Sequence, residues 1–378
     1  MNGFTFQTPP KIVFNWGAVT QLPAEASALG RRPLVVCGRS LRASGKLETI
    51  LSGLRAAGLE PSVHEGVPAE PDLTALQACM DAAVGCDSVI AIGGGSVLDI
   101  AKGGAALSDT GATAADYFSG KPVPDTGKPL IALPTTSGTG SEVTWVCVLV
   151  DHETRRKASI RGPGMMPRVA IVDPELTVTC PSTVTAYSGA DAFVQAVESF
   201  TSRGANPMTD ALALEAAKLT AHWLEIAVRE PGNREAREGM ALGSMMAGIA
   251  LNTSRLGLVH GLAHPVGAVT GAAHGLLCGL LMPPVMRFNR DAASSKYARL
   301  AAELGLVAAV GESGTDALIR FTEHLMARVG IPLHLSALGF DLADLDWVAQ
   351  ETMPSGSTKA NPRAVSVEEA RNVALSCV

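Results

Sequence analysis

The sequence predicts an α/β domain followed by an all-helical domain. In the first half, short runs rich in β-branched residues alternate with helix-like runs, which is the pattern of a largely parallel sheet. After Pro181 the chain continues in long stretches rich in Ala, Leu and Met, with few β-branched runs. We therefore place the domain boundary near residue 180, with residues 1–180 in the α/β domain and residues 181–378 in the helical domain.

The strands of the first domain are predicted from short apolar runs. These runs are PLVVCG at 33–38, DSVIAI at 87–92, PLIALPTT at 129–136, VTWVCVLVD at 143–151 and RVAIVDP at 168–174. After the first of them, LRASGKLETILSGLRAAG has the composition of a helix. Strands that alternate with helices in this way predict one largely parallel sheet.

Composition limits the classes of function. The chain has 378 residues, of which 47% are hydrophobic and 17% charged, and this balance suits two packed domains rather than disorder. The formal net charge of −6 offers no basic surface for nucleic acid and no polybasic patch for a membrane. We therefore expect neither nucleic acid nor a membrane as a partner.

The most apolar segment, residues 257–286, predicts two buried helices rather than a membrane span. Three histidines and Pro265 lie inside it, and such residues are costly in lipid. The first residues lack a basic start followed by an apolar run, so we expect no signal peptide. The seven cysteines are scattered without a CxxC pair, which favours reduced thiols and a cytoplasmic location.

Two clusters of glycine and hydroxyl residues lie where predicted strands end. The first cluster is Gly93, Gly94, Gly95 and Ser96, and the second contains Thr135, Thr136 and Thr139. Glycines let backbone N–H groups approach an anion closely, and a helix that starts there favours negative charge. A turn without a ligand is the alternative for either cluster alone. Two clusters in one sheet favour a nucleotide site.

The second half contains a constellation of possible metal ligands. His260 and His264 are four residues apart, which is the spacing of a metal-binding pair on a helix, and His274 follows. Asp191 precedes them by about seventy residues, with Gln195 one helical turn after it. Histidines that are hydrogen-bonded inside a core are the alternative interpretation.

Several of these motifs together carry a resemblance to a known family. GGGSVLDIAK, PTTSGTGSEVT, RVAIVDPELT, the SGADA helix start and VHGLAHPVGA…AAHG together resemble the iron-containing alcohol dehydrogenases, over nearly the whole chain. The resemblance implies a dinucleotide-binding α/β domain, a helical metal- and substrate-binding domain, an active site in the cleft between them, and a homodimer. It also implies NAD(P)-dependent interconversion of alcohols and carbonyl compounds, and it fits dehydrogenases better than lyases of the dehydroquinate synthase type.

The resemblance assigns roles residue by residue. It places the pyrophosphate loop on Gly93, Gly94, Gly95 and Ser96, and further cofactor contacts on Asp99, Thr135, Thr136, Thr139 and Lys157. The four metal ligands of the family, one Asp and three His, fall on Asp191, Gln195, His260 and His274. His264 falls near the nicotinamide and the substrate, where an imidazole can relay a proton. We expect the turn that lets the two histidine-bearing helices meet to involve Pro265 and Gly267.

Gln195 departs from the family pattern, so metal binding needs its own argument. Asp191, His260 and His274 remain as three strong ligands, which is the usual count at a catalytic zinc site. We predict that Fe²⁺ or Zn²⁺ still binds, with Gln195 as a weak fourth ligand or as a hydrogen-bond partner of a ligand, and that the change favours Zn²⁺. In the rival outcome the site is empty and Gln195 bonds His260 or His274 directly. The corresponding functions are a metal-independent reductase of the same fold, or a nucleotide-binding protein with a decayed metal site.

Two further predictions concern cofactor and substrate choice. Gly38, Arg39 and Ser40 follow the first strand of the predicted nucleotide site, where relatives that prefer NAD often have an Asp that repels a 2′-phosphate. Here the carboxylate is missing and a guanidinium is adjacent, which favours NADP(H) over NAD(H); a surface arginine that contacts nothing is the alternative. Leu251 and Arg255 precede His260 and are assigned to the substrate, a small alcohol or aldehyde. Arg255 could pair with a carboxylate, phosphonate or sulfonate on that substrate. A structural salt bridge, or capping of backbone carbonyls, is the alternative.

Overall fold

The computed structural model describes residues 3–378, which form two compact units. The first, here called the sheet unit, comprises Thr8–Thr136 and Gly140–Val178. The second, here called the helical unit, comprises Thr179–Val378 together with Ser137–Thr139 and the N-terminal residues up to Gln7. The predicted order of a parallel-sheet part followed by a helical part is confirmed.

The sheet unit contains all the strands of the described residues. They are β1 (Lys11–Phe14), β2 (Pro33–Cys37), β3 (Ser62–Glu65), β4 (Ser88–Gly93), β5 (Leu130–Pro134), β6 (Val146–Asp151), β7 (Arg156–Arg161) and β8 (Val169–Val172). Its helices are α1 (Leu22–Ser27), α2 (Arg39–Ala43), α3 (Lys46–Ala56), α4 (Leu73–Ala83), α5 (Gly95–Leu107) and α6 (Ala114–Phe118). Short 3₁₀ turns lie at Ala18–Gln21, Ser141–Val143, Pro163–Met165 and Pro174–Thr177.

Six of the strands form one parallel sheet in the order β1-β8-β5-β4-β2-β3. Successive residues of a strand face opposite sides, so Leu34 and Val36 enter one apolar cluster while Val35 and Cys37 enter the other. Every residue of β2, β4 and β5 is buried. Helices cover both faces, which explains why these strands read as continuous apolar runs.

The connections change direction between β2 and β4. From β2 the chain moves outward to β3 at the sheet edge, and it then returns to place β4 on the other side of β2, next to β5. Ligands of open α/β sheets bind at the carboxyl ends of strands that flank such a switch point. The residues that follow β2 and β4 therefore occupy the favoured ligand position of this sheet.

The run VTWVCVLVD contains a strand, as predicted, but this strand does not join the parallel sheet. β6 instead pairs antiparallel with β7 in a separate two-stranded sheet. Alternate residues of β6 are buried, which is the pattern of a strand covered on one face. The predicted helix at 41–58 is also divided, because Gly45 adopts a left-handed φ of 74° between α2 and α3.

The helical unit contains ten α-helices among the described residues. They are α7 (Ser182–Thr201), α8 (Pro207–Arg229), α9 (Arg234–Ser254), α10 (Leu258–Thr270), α11 (His274–Phe288), α12 (Arg290–Glu303), α13 (Gly314–Arg328), α14 (Leu345–Thr352), α15 (Gly356–Ala360) and α16 (Val367–Leu375). Two 3₁₀ turns lie at Leu335–Leu338 and Leu342–Asp344. The helix α7 is central, since it packs against α8, α9 and α11 and is buried along most of its length.

The apolar segment 257–286 forms the helix pair α10 and α11, as predicted. The turn between them lies later than expected, however. Helix α10 continues through Pro265 and Gly267 and ends at Gly271, which has a φ of 67°. A glycine in the left-handed conformation terminates a helix without steric cost, so Gly271 makes the turn. Across residues 3–378, no helix combines the length and apolar character required to cross a membrane.

A buried polar network joins α5 to the turn at Ser141–Val143. The Lys102 ammonium is fully buried, lies 3.0 Å from Asp99 Oδ1 and donates to the Ser141 carbonyl. Glu142 is also buried, and burial raises the pKa of its carboxyl to about 7 although Lys102 acts to lower it. The folded protein therefore holds the Glu142 proton more tightly than the unfolded chain does.

This difference predicts a pH-dependent effect of replacing Glu142. As the pH rises from about 4.5 to about 7, the unfolded chain loses this proton while the folded chain keeps it, so the wild type loses stability over that window. Glu142→Gln removes the ionisation, and its advantage over the wild type should grow by about 3 kcal/mol between pH 4.5 and pH 8. Denaturant unfolding at both pH values measures this difference.

The control is Glu153→Gln, which changes an exposed glutamate of the same unit. Because solvent surrounds that side chain, its effect on the free energy of unfolding should be small and alike at both pH values. An equal stability difference for Glu142→Gln at the two pH values would contradict the prediction.

Candidate functional site

One face of α7 presents three buried polar side chains. Asp191, Gln195 and Glu198 are spaced four and three residues apart, so they share that face, and they are 2%, 4% and 4% exposed. Polar groups are stable inside a core only when they are paired. The partners of these three groups therefore define the site.

His260 lies between the two carboxylates. Its Nδ1 is 2.6 Å from Glu198 Oε2, and its Nε2 is 3.2 Å from Asp191 Oδ1. A carboxylate only accepts hydrogen bonds, so Nδ1 carries a proton and donates it to Glu198. Such a contact fixes the orientation of the ring and leaves Nε2 directed at Asp191.

Glu198 also determines where α10 begins. Its Oε1 accepts a hydrogen bond of 2.7 Å from the backbone N–H of Val259. The preceding Gly257 has no room for a side chain, since a Cβ there would lie 2.7 Å from Glu198 Oε1. Sequence analysis missed Glu198, although its spacing from Asp191 and Gln195 was a usable signal.

His274 completes the group as the first residue of α11. Its Nε2 is 3.9 Å from Asp191 Oδ1, and its ring centre is 5.4 Å from that of His260. The next residue permits this approach, because a Cβ on Gly275 would lie only 2.1 Å from the Tyr187 carbonyl oxygen. Three of the four predicted metal-site residues thus point their ligand atoms at one location.

The fourth residue, Gln195, is turned toward Asp191. Its Nε2 donates to Asp191 Oδ2 at 2.9 Å, while its Oε1 is buried without a hydrogen-bond partner among the described residues. The direct bond to a histidine that was expected of an empty site is not formed. Gln195 instead orients the carboxylate of Asp191.

A thiol that sequence analysis missed joins the cluster. Cys278 Sγ lies 3.6 Å from His274 Nε2 and 3.8 Å from His260 Nε2. One ligand atom from each of Asp191, His260, His274 and Cys278 lies within 4.8 Å of the others. The spacing of four residues from His274 to Cys278, one turn of a helix, was the available signal.

The charges of the cluster are strongly coupled. Burial acts to lower the pKa of His260, but Cys278, Asp191 and Glu198 together raise it well above its ordinary value. Burial raises the pKa of the Cys278 thiol to about 12. Without a metal, the cluster therefore favours a protonated His260 that faces Asp191.

The donor set fits a divalent metal. Zinc bonds of ~2.0–2.1 Å to nitrogen or oxygen and ~2.3 Å to sulfur place neighbouring ligands of a tetrahedron roughly 3.3–3.6 Å apart. The distances from Asp191 Oδ1 to the two histidine nitrogens are 3.2 and 3.9 Å, close to that spacing. Asp191, His260 and His274 could therefore hold a cation with small adjustments.

His264 lies one turn after His260 on α10. Its ring centre is 5.3 Å from that of His274, and its side chain is partly exposed. The structure thus places His264 beside the cluster, at its more accessible side.

The glycine cluster and two threonines of the hydroxyl cluster, Thr135 and Thr136, lie at neighbouring strand ends of the sheet. Gly93 and Pro134 are in register on β4 and β5, and a Cβ on Gly94 would make an ordinary contact of 3.4 Å with Thr136 Oγ1. No side chain caps the start of α5, so its first N–H groups are available to an anion. The Ser96 hydroxyl donates to the Ala69 carbonyl. Thr139 belongs to the helical unit and Thr135 to the sheet unit.

Two of the predicted cofactor residues are engaged inside the sheet unit. The Asp99 carboxylate accepts hydrogen bonds from the Ser141 hydroxyl and, at 2.8 Å, from the Val148 backbone N–H. The Lys157 ammonium forms an ion pair with Glu70. These contacts hold the surrounding loops.

Gly38, Arg39 and Ser40 follow β2 as predicted. Arg39 is exposed and has no polar partner among residues 3–378, whereas Arg42 is paired with Glu65 and Glu48. Of the two arginines, only Arg39 has a guanidinium that does not form an ion pair with a carboxylate.

Leu251 and Arg255 lie at the end of α9. Leu251 is partly buried in the last turn, and Arg255 is the exposed residue that ends the helix, with an unusual φ of 63°. No carboxylate of the described residues pairs with the Arg255 guanidinium, so the structural salt bridge considered as its alternative role is not formed.

The fold and these sites define a class of protein. One chain contains a parallel α/β unit, with the topological switch point at which nucleotides bind, and a helical unit with a carboxylate–histidine cluster that fits a metal ion. Comparison with known proteins then identifies the family. Residues 9–174 match the family "iron-containing alcohol dehydrogenase", and residues 185–376 match the C-terminal part of the same family. The chain belongs to the iron-containing alcohol dehydrogenase family and is an oxidoreductase that acts on CH–OH donors.

Three relatives illustrate the similarity. The chain is 34% identical to the NAD-dependent methanol dehydrogenase of Bacillus methanolicus, over 96% of this chain and 97% of the relative. The crystal structure of a 1,3-propanediol oxidoreductase has a TM-score of 0.92 at 33% identity and covers 100% of both chains. The sulfoacetaldehyde reductase from Bifidobacterium kashiwanohense, solved in complex with NAD⁺, has a TM-score of 0.90 at 32% identity and covers 100% of this chain and 99% of its own.

The close approach of α11 to α7 generates a stability prediction. Gly275→Ala would force the added methyl against the Tyr187 backbone, which cannot move as a flexible side chain could. We expect a loss of about 1–3 kcal/mol in the free energy of unfolding, measured by denaturant titration. Gly232→Ala is the matched control, because its added methyl meets open space. Equal stability of the two variants would contradict this description of the helix contact.

Proposed function

We propose that the protein is a metal-assisted, NAD(P)-dependent alcohol dehydrogenase or aldehyde reductase for small substrates. Residues 1–180 would bind the dinucleotide, and residues 181–378 would bind the metal and the substrate. The observation that carries this proposal is the cluster of buried Asp191 and His260 with the partly exposed His274, in which three ligand atoms converge at the edge of the apolar core. Burying an ionisable group costs free energy, so a core with a purely structural role would contain few such groups.

The metal would be held by Asp191, His260 and His274. A divalent cation there would polarise a carbonyl oxygen and lower the pKa of a bound alcohol. The surrounding residues prepare the ligands for this task. Glu198 fixes the tautomer of His260, and Gln195 fixes the carboxylate of Asp191.

His264 is proposed as the proton relay. It is partly exposed, it lies beside His274, and an imidazole exchanges protons near neutral pH. These properties suit a group that carries a proton between a buried alkoxide and solvent.

The dinucleotide is proposed to bind at the switch point of the sheet. Gly93, Gly94, Gly95 and Ser96 at the start of α5 would receive the pyrophosphate, while Thr135, Thr136 and Thr139 would offer hydroxyls to the cofactor. Asp99 would hold the neighbouring loop in place from within the unit. The similar sulfoacetaldehyde reductase was solved in complex with NAD⁺, which supports a nicotinamide cofactor here.

A homodimer, expected from the family resemblance, is part of the same proposal. Multi-angle light scattering of the purified protein would measure the molar mass directly.

An assay of the purified protein tests the function. The protein is mixed with NADPH or NADH and a panel of small aldehydes, before and after treatment with a chelator and after return of Zn²⁺ or Fe²⁺. We expect aldehyde-dependent oxidation of the cofactor that is lost with the metal and restored with it. Turnover that is unaffected by the chelator would establish a metal-independent reductase. Nucleotide binding without turnover would establish a binding protein.

The phosphate loop provides a prediction about cofactor binding. Gly94→Ala keeps an allowed backbone, with φ at −74°, and makes only ordinary contacts, so the fold should be preserved. The methyl group would occupy the space through which a pyrophosphate approaches the N–H groups, and the dissociation constant of the dinucleotide should rise at least about tenfold. Fluorescence titration with NADPH measures it. Gly53→Ala, also free of a steric clash and in the same unit, should leave it unchanged.

The exposed guanidinium of Arg39 is proposed to select NADP(H). Arg39→Ala should raise the KM for NADPH by about tenfold and leave that for NADH unchanged, because one charge-assisted contact to a 2′-phosphate is lost. Arg55→Ala, which removes another exposed arginine of the sheet unit, is the control. A wild-type preference for NADH would refute this assignment.

Arg255 is proposed to bind an anionic group of the substrate, with Leu251 forming an adjacent wall. A structurally similar protein is a sulfoacetaldehyde reductase, and its substrate carries a sulfonate. Arg255→Ala should lower kcat/KM about 10–100-fold for carboxylate- or sulfonate-bearing aldehydes and little for neutral ones. Arg255→Lys, which keeps the charge, should recover part of the loss. An equal loss on neutral and anionic aldehydes would rule out this role.

A further inference from the structure

We propose that Cys278 is the fourth protein ligand of the metal and occupies the coordination position that Gln195 does not fill. This inference rests on the proposed metal-assisted function. It names a ligand set of Asp191, His260, His274 and Cys278, in place of one that contains Gln195.

The distances around Cys278 suit a metal ligand, and donor chemistry favours the thiol over the amide. Cys278 Sγ lies 3.6 and 3.8 Å from the two histidine nitrogens, and neighbouring nitrogen and sulfur ligands of one zinc ion are about 3.6 Å apart. Gln195, in contrast, directs its Nε2 at Asp191. The amide oxygen Oε1 of Gln195 has no hydrogen-bond partner among residues 3–378, but a neutral amide oxygen suits hard cations, whereas a thiolate is a strong ligand of Zn²⁺.

The helix explains how Cys278 reaches the site. His274 and Cys278 are four residues apart on α11 and therefore share one face. The cysteine is 0% exposed, and its only polar contacts among residues 3–378 are the two histidine rings. A cysteine of an apolar core contacts apolar side chains. The polar contacts of Cys278, in contrast, are to two histidines that are both proposed metal ligands.

Binding through sulfur changes the charge and the preference of the site. The S–H proton is released to solvent as the sulfur–metal bond forms, and no electron transfer is involved. The thiolate and the Asp191 carboxylate then balance the two positive charges of the cation. A set that includes sulfur and imidazole favours Zn²⁺ over Fe²⁺ compared with ligands of oxygen and nitrogen alone.

Spectroscopy of the metal-loaded protein tests the ligand without reference to activity. We would load the full-length protein with one equivalent of Co²⁺ and record its absorption, and then record X-ray absorption of the Zn²⁺ form. The wild type should show a sulfur-to-cobalt charge-transfer band and one sulfur neighbour of zinc at about 2.3 Å. Both measurements use the unaltered protein, so they do not depend on whether a variant folds.

Variants then assign the sulfur. Cys278→Ser and Cys278→Ala should lose the charge-transfer band, and Cys377→Ala, which removes another buried cysteine of the helical unit, should keep it. A Co²⁺ ion that binds stoichiometrically and is lost in His274→Ala, but gives no sulfur signal in the wild type, would overturn the role of Cys278 and leave the proposed function intact. A sulfur signal that survives in both Cys278 variants would do the same. Failure of the wild type to bind any Co²⁺ or Zn²⁺ would overturn both.

Discussion

The pairing of two buried carboxylates with His260 is the constraint on which the helical site depends. Asp191 and Glu198 are both nearly inaccessible to water, and unpaired charges there would destabilise the fold by several kcal/mol. His260 contacts both, through Nε2 and Nδ1. Because Glu198 also accepts the Val259 N–H, the same carboxylate places the start of α10 and orients the histidine. Glu198 therefore fixes both the start of α10 and the orientation of the His260 ring.

In the sheet unit, the proposed anion site is formed by backbone N–H groups rather than by side chains. An anion at the switch point needs N–H groups that are not already used, and the glycines at the junction of β4 and α5 supply them without obstruction. The tight contact behind Gly93, where a Cβ would lie 2.6 Å from Val97, keeps that loop close to the helix. Both sites thus rely on positions where a side chain would not fit, Gly93 in the sheet unit and Gly275 in the helical unit.

The sequence was sufficient to predict the strands that form continuous apolar runs and the metal-site residues whose side chains are typical ligands, Asp and His. The strands β2, β4 and β5 were found because burial on both faces makes each a continuous apolar run. The short strands β1, β3 and β7 are partly exposed and lack that signal. The direction of the Gln195 amide is a choice of rotamer within α7 that no sequence pattern specifies. The spacing of four residues places Cys278 on one face with His274, but whether that face meets Asp191 depends on how closely α11 packs against α7. That distance is set by Gly275, whose effect no single-residue pattern reveals.

The central claim is that the Asp191–His260–His274 cluster is a metal site, and anomalous diffraction tests it most directly. Crystals of protein purified without chelator would be measured on both sides of the zinc and iron absorption edges. The account predicts one anomalous peak within bonding distance of the Asp191 carboxylate and of both histidine Nε2 atoms, at about 2.0–2.2 Å. No peak there, in crystals that were also soaked with Zn²⁺ and Fe²⁺, and with the His260–Asp191 hydrogen bond retained, would contradict it.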